Sequence, residues 1–116
     1  MTGDSRAWWL LYSILLYNGA MPMKLISNKM LREFAAKHPD ADQPLQDFRH
    51  LIEAGSFANF AQLKVTFASV DKVGERYVFN IGGNKYRLIA GIAFQPALVW
   101  VKAVLTHDEY NKGAWK

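Results

Sequence analysis

Arg76-Tyr77-Val78-Phe79-Asn80-Ile81-Gly82-Gly83-Asn84-Lys85-Tyr86-Arg87-Leu88 is the stretch that decides the fold. Arg76 to Ile81 is rich in Tyr, Val and Phe, residue types that fit a pleated surface, so it reads as a strand. Gly82-Gly83-Asn84 tolerates positive φ and turns the chain back. It lacks the strand-to-helix context and the Lys-Ser/Thr ending of a phosphate-cradling P-loop, so a hairpin turn is the better reading. Lys85 to Phe94 is then the second strand. Gln95-Pro96-Ala97 turns the chain again, and Leu98 to Leu105 is a long third strand. Thr106-His107-Asp108-Glu109-Tyr110 opens a polar tail with a short terminal helix.

Upstream of this meander the periodicity is helical. Lys24 to Ile26 supplies a short first strand, and Ser27 is a natural N-cap. Met30, Leu31, Phe34 and Ala35 follow at helical spacing, and His38-Pro39 stops the helix because the residue before proline avoids helical backbone angles. Pro44 suits a first helical position, Leu45, Phe48, Leu51 and Ile52 form an apolar stripe, and Gly55 ends the helix. Phe57, Phe60, Leu63 and Phe67 suggest a short third helix capped by Asn59. Ser69 to Glu75 is polar, with a turn at Gly74. The order predicts an α+β fold in which an N-terminal helical hairpin packs on a small, mainly antiparallel sheet. Phe67, Phe79, Phe94 and Trp100 are expected in its core.

Residues 1–22 read as an extension ahead of a domain spanning 23–116. Ala7 to Tyr17 is apolar but shorter than the roughly 20 residues that span a bilayer. As a signal peptide it has a poor cleavage site at Asn18-Gly19-Ala20. Met21 and Met23 are plausible starts, so the extension is either upstream of the true start or an extra helix on the domain. A membrane anchor is a third reading, and it predicts partition with membranes. Trp8, Trp9 and Trp115 lie near the ends, where they could touch a partner.

The chain of 116 residues carries a formal net charge of +4, and its pI is about 9.4. That balance favours anionic partners, nucleic acid first. There is no cysteine, which excludes disulfides, thiolate metal sites and cysteine nucleophiles and fits a cytoplasmic protein. His38, His50 and His107 have no metal-ligand spacing, so neither metal nor cofactor is expected.

Three stretches resemble the HigB family of RelE-like toxins: Ile26-Ser27 through Glu33-Phe34-Ala35 with His38-Pro39; Val78 through Leu88; and Thr106-His107-Asp108-Glu109-Tyr110 with Lys112. Order and spacing match as well, over about residues 23 to 112. The resemblance implies a RelE-like fold and a toxin that enters the ribosomal A site and cuts mRNA there. It implies a cognate HigA-like antitoxin with a helix-turn-helix domain, and contact with operator DNA only through the antitoxin complex.

RNA cleavage without a metal needs a base for the 2′-hydroxyl, cations for the charge growing on the phosphate, and an acid for the leaving 5′-oxygen. Arg87 is the first candidate, since the Tyr-Arg-Leu step of RelE-like toxins carries a phosphate-binding arginine, and a guanidinium can grip two phosphate oxygens at once. His107 follows, with an ordinary pKa near 6.5. Tyr110 would lie on the same side of a short helix as His107 and could stack on a base or meet the phosphate. Lys64, Arg76, Lys85 and Lys102 are further phosphate-binding candidates, Lys85 being expected on the same face as Arg87. Asn80 and Asn84 could position a phosphate or ribose, or, for Asn84, build the turn. Asp108 and Glu109 read as helix-start or antitoxin-facing residues. The resemblance departs at one point: the strand before the Tyr-Arg-Leu step carries catalytic lysines in the wider RelE group, and Tyr77-Val78-Phe79-Asn80 has none. His107, Lys64 or Arg76 would have to take over. A non-catalytic RNA- or protein-binding module on the same scaffold is the alternative.

Overall fold

A computed structural model describes residues 23–26 and 28–116. The expected cap Ser27 and the segment 1–22, with Trp8 and Trp9, lie outside the described residues. Strand β1 (Lys24–Ile26) leads into helix α1 (Asn28–Lys37), a 3-10 turn (Pro39–Ala41) and helix α2 (Asp42–Ala54). Helix α3 (Phe60–Thr66), strands β2 (Asp71–Val73), β3 (Arg76–Ile81), β4 (Tyr86–Ala93) and β5 (Leu98–Thr106), and helix α4 (His107–Lys112) complete the fold. This is the α+β order expected from the periodicity.

The five strands form one sheet in the order β1-β5-β4-β3-β2. β1 lies parallel to β5, and every other pair is antiparallel. β2 is a strand where polarity predicted a loop. Its partner supplies the hydrogen bonds that its own side chains do not advertise, and a two-residue loop at Gly74-Glu75 joins it to β3. Gly74 takes φ 62° there, a left-handed value that costs glycine little. Helix α2 begins at Asp42 rather than Pro44. Pro44 is tolerated inside the first turn because amides there have no intrahelical acceptor.

The helices cover one face of the sheet. Leu31, Leu45, Phe48, Ile52 and Leu63 meet Tyr77, Phe79, Ile81, Leu88 and Val99 in a single core. Phe48 and Phe67 pack on Phe79 with ring centroids 4.9 and 5.1 Å apart. Phe67 and Phe94 lie at the margin of this core. Trp100 is a correction. It stands in register with Gly91 on the opposite face and is only half-buried.

One hydrogen-bonded cluster ties the helical layer to β4. Asp40, in the 3-10 turn, accepts from Tyr86 Oη at 2.7 Å and from the Lys85 ammonium. Lys85, with smaller help from Tyr86, holds the Asp40 carboxyl below its ordinary value of 3.8. Asp40 in turn raises Lys85 above 10.5 and Tyr86 above 10.0.

Two predictions follow from this packing. Leu88 is fully buried at the centre of the sheet, so Leu88→Ala should cost about 2–5 kcal/mol in urea unfolding with the slope unchanged. The Asp40 cluster should also shape stability against pH. A lowered carboxyl stabilises above its unfolded value and loses that effect as pH falls through the folded one, while raised Lys85 and Tyr86 lose theirs as pH climbs past about 10. Asp40→Asn should therefore lower the urea midpoint between these limits and converge with the wild type on both flanks. Parallel profiles across the whole range would contradict this.

Candidate functional site

The hairpin turn between β3 and β4 positions the site. Gly82 and Gly83 take φ 62° and 68°, and Lys85 N–H closes the turn on the Gly82 carbonyl at 3.3 Å. This aims the Asn84 carbonyl at two side chains. Arg87 Nη1 donates to it at 3.1 Å, and His107 Nδ1 lies 3.2 Å from it. His107, 23 positions further along the chain than Asn84, therefore shares this acceptor with Arg87.

Arg87 is 8% exposed. Nη1 also donates to the Tyr86 carbonyl at 3.2 Å, and Nη2 donates to Asn84 Oδ1 at 2.6 Å. No carboxylate pairs with it among the described residues. Three of the five guanidinium N–H groups are thus occupied, and five minus three leaves two for a ligand. A cation that is desolvated, held in place and not neutralised is built to receive an anion.

His107 opens α4, whose start is fixed by a capping box. Thr106 Oγ1 accepts from Glu109 N–H at 3.3 Å, and Glu109 Oε1 accepts from Thr106 N–H at 2.9 Å. The Thr106 amide holds the Glu109 carboxyl below its ordinary range. Glu109 is therefore the helix-start residue that its position suggested, and its charge is turned back on the backbone. A carbonyl only accepts, so the contact with Asn84 requires the His107 ring proton on Nδ1. In the neutral ring this leaves the lone pair on Nε2.

Tyr110 lies one turn further along α4. The Arg87 guanidinium carbon sits 5.4 Å from its ring centroid, within cation–π range. Trp115 stacks on the tyrosine at 4.9 Å and 13° between ring planes, and its Nε1–H donates to the Tyr110 carbonyl at 2.8 Å. Trp115, which stands near the end of the chain where it could touch a partner, thus packs on the tyrosine that lies beside Arg87.

The other expected residues separate. Asn80 is exposed and in register with Arg87, so it shares the same face. Asn84 is the scaffold of the site, both of its oxygens serving Arg87. Lys85 departs from expectation: it precedes β4 and pairs with Asp40 beside Tyr86, away from Arg87. Lys64 stands on α3 in the helical layer, over the Phe60 ring, on the side of the sheet opposite Arg87. Arg76 and Lys102 stand on the open face further along the strands, around Trp100. Sequence reasoning missed the Asp40 cluster, whose members lie 45 and 46 positions apart and carry no shared motif. Among the described residues no group of three or more His, Asp or Glu could hold a metal ion, and no helix is long and apolar enough to cross a membrane.

Residues 41–113 match a sequence model of HigB_toxin, described as the RelE-like toxic component of a toxin–antitoxin system. The mRNA interferase toxin HigB of Escherichia coli K12 is 35% identical over 92 residues, covering 77% of this chain and 88% of that protein. The mRNA interferase HigB of Escherichia coli O6:H1 is 31% identical over 93 residues, covering 78% and 90%. The chain belongs to the HigB family, the RelE-like toxic components of toxin–antitoxin systems.

Proposed function

We propose that this protein is a ribosome-dependent mRNA endonuclease, the toxin of a type II toxin–antitoxin pair. The observation that carries the reading is the shared Asn84 carbonyl, which sets an uncompensated arginine beside an imidazole with a free nitrogen. The name of the relatives, mRNA interferase, points to the same chemistry.

In this mechanism the two remaining N–H groups of Arg87 grip the non-bridging oxygens of the scissile phosphate. His107 Nε2 takes the proton of the preceding 2′-hydroxyl, and that oxygen attacks phosphorus. Arg87 stabilises the charge that builds on the phosphate as the bond to the 5′-oxygen breaks. The leaving 5′-oxygen departs on the side opposite the attack and takes its proton from the Tyr110 hydroxyl. The products are a 2′,3′-cyclic phosphate and a 5′-hydroxyl. This assigns to His107 the proton transfer that strand lysines perform in the wider RelE group. The reading includes action in the ribosomal A site in the cytoplasm, and restraint by a HigA-like helix-turn-helix antitoxin through which the pair reaches operator DNA.

Induced expression in bacteria should stop growth, with mRNA cuts mapped to translating ribosomes, and coexpression of the neighbouring helix-turn-helix gene should restore it. Arg87→Ala should reduce cleavage by about 10²–10³-fold and His107→Ala by about 10²–10⁴-fold, both with native circular dichroism. Full toxicity in both variants would defeat the site assignment. A wild type that binds RNA but is harmless would favour the binding-module alternative. Nitrogen-15 resonance spectra of neutral His107 should show the proton on Nδ1; a proton on Nε2 would remove it as the base.

A further inference from the structure

The open face of the sheet holds a second feature that the mechanism does not use. A groove of about 430 Å³ lies along it, with Gly91 and Trp100 in its walls and Arg76, Lys102 and Lys116 around them. Glu75 is the one carboxylate lining it. None of the three cations pairs with an acid among the described residues.

The groove is built by two local departures from regular sheet. Gly91 leaves its backbone bare, and the Trp100 indole lies on it; a Cβ there would overlap Cε2, Cζ2 and Nε1 of the ring. On β5 the register slips: Ile89 pairs with Ala103 and Ala90 with Val101, so Lys102 has no partner of its own. Such a bulge re-aims the side chain it carries, and Lys102 joins Trp100 in the groove. Exposed Ile26 stands in register with Trp100 on the β1 side. A large indole outside the core, ringed by unpaired cations, is the combination that binds single-stranded nucleic acid: stacking takes the base and the cations take the backbone.

We propose that this groove is a second nucleotide site, in which Trp100 stacks a base flanking the cut and Arg76, Lys102 and Lys116 hold the adjoining phosphates. This inference rests on the mRNA endonuclease reading. Arg87 and Gly91 are on the same face of β4, four residues apart, which is about 13 Å along a strand. A single strand laid along β4 therefore reaches Trp100 while its scissile phosphate sits on Arg87. The site grips sequence-independent features, a π-face and a phosphate backbone, so it sets the register of the message in the cleft.

The test is binding of the full chain to a fluorescently labelled single-stranded RNA hexamer of uridines, read by anisotropy across a salt series. Trp100→Ala should weaken binding about tenfold, and Trp100→Phe should recover most of it. Gly91→Ala should reproduce the loss by pushing the indole off its seat without removing it. The Arg76→Ala, Lys102→Ala pair should lower the salt slope by about 1.4, two single-strand phosphate contacts. Should Trp100→Ala fail to fold by circular dichroism, the Arg76, Lys102 pair and Trp100→Phe decide the matter. Wild-type affinity in the Trp100 and Gly91 variants overturns the proposal even if Arg87→Ala abolishes cleavage, and leaves the endonuclease reading intact. Weakened RNA binding in a chain that never cuts mRNA keeps the groove and discards the endonuclease. Unchanged RNA binding with lost antitoxin binding overturns it too, and assigns the groove to the antitoxin.

Discussion

One carbonyl oxygen organises the candidate site. Asn84 O takes a hydrogen bond from Arg87 and fixes the His107 ring, and both consequences are electrostatic. The arginine is almost wholly withdrawn from water, yet carbonyls and an aromatic face are its partners rather than a carboxylate. Its charge stays available in a place where solvent screens it poorly. The imidazole meets the same carbonyl through Nδ1, and in the neutral ring this leaves Nε2 as the nitrogen without a proton. Moving the turn by one residue would undo both, because the carbonyls of successive residues point in different directions.

The rest of the fold defends that arrangement. The two glycines of the turn adopt left-handed backbone angles that aim the carbonyl. The capping box fixes where α4 begins and therefore where His107 stands. Trp115 folds back to hold Tyr110 against the guanidinium. Behind the sheet, Asp40 ties the 3-10 turn to the first residue of β4, so the helical layer anchors the strand from which Arg87 projects. The sheet thus divides by face: the helices pack on one side, and Arg76, Arg87, Lys102 and the half-buried Trp100 stand on the other, around buried Val78 and Ile89. The strand period of two puts Tyr86 and Leu88 on the helix-covered side and Arg87 between them on the opposite side.

The meander from Arg76 to Leu105, the helices over Met30–Ala35 and Leu45–Ile52, and the Asn59 cap were legible because each depends on residues near one another in the chain. Periodicity, turn glycines and capping side chains are local physics. The edge strand β2 was not legible, since its structure is conferred by the neighbour it pairs with. Trp100 was misplaced for a related reason: whether an aromatic on a strand faces the core depends on register, and the slip at Lys102 has no local signature. Lys85 was assigned to Arg87 by alternation along the strand, but it precedes β4, and its partner Asp40 lies in a different layer.

By itself, then, the sequence determined the α+β order and the hairpin turn, and its likeness to HigB toxins singled out Arg87, His107 and Tyr110 as candidates. Tertiary structure alone decided that Arg87 meets both His107 and Tyr110, that Asn84 holds the first two, and that Lys64 and Lys85 stand apart from them. The reason is distance along the chain. Elements are chosen by neighbours a few residues away, whereas a site is made by acceptors and charges that only a finished sheet brings within hydrogen-bonding reach.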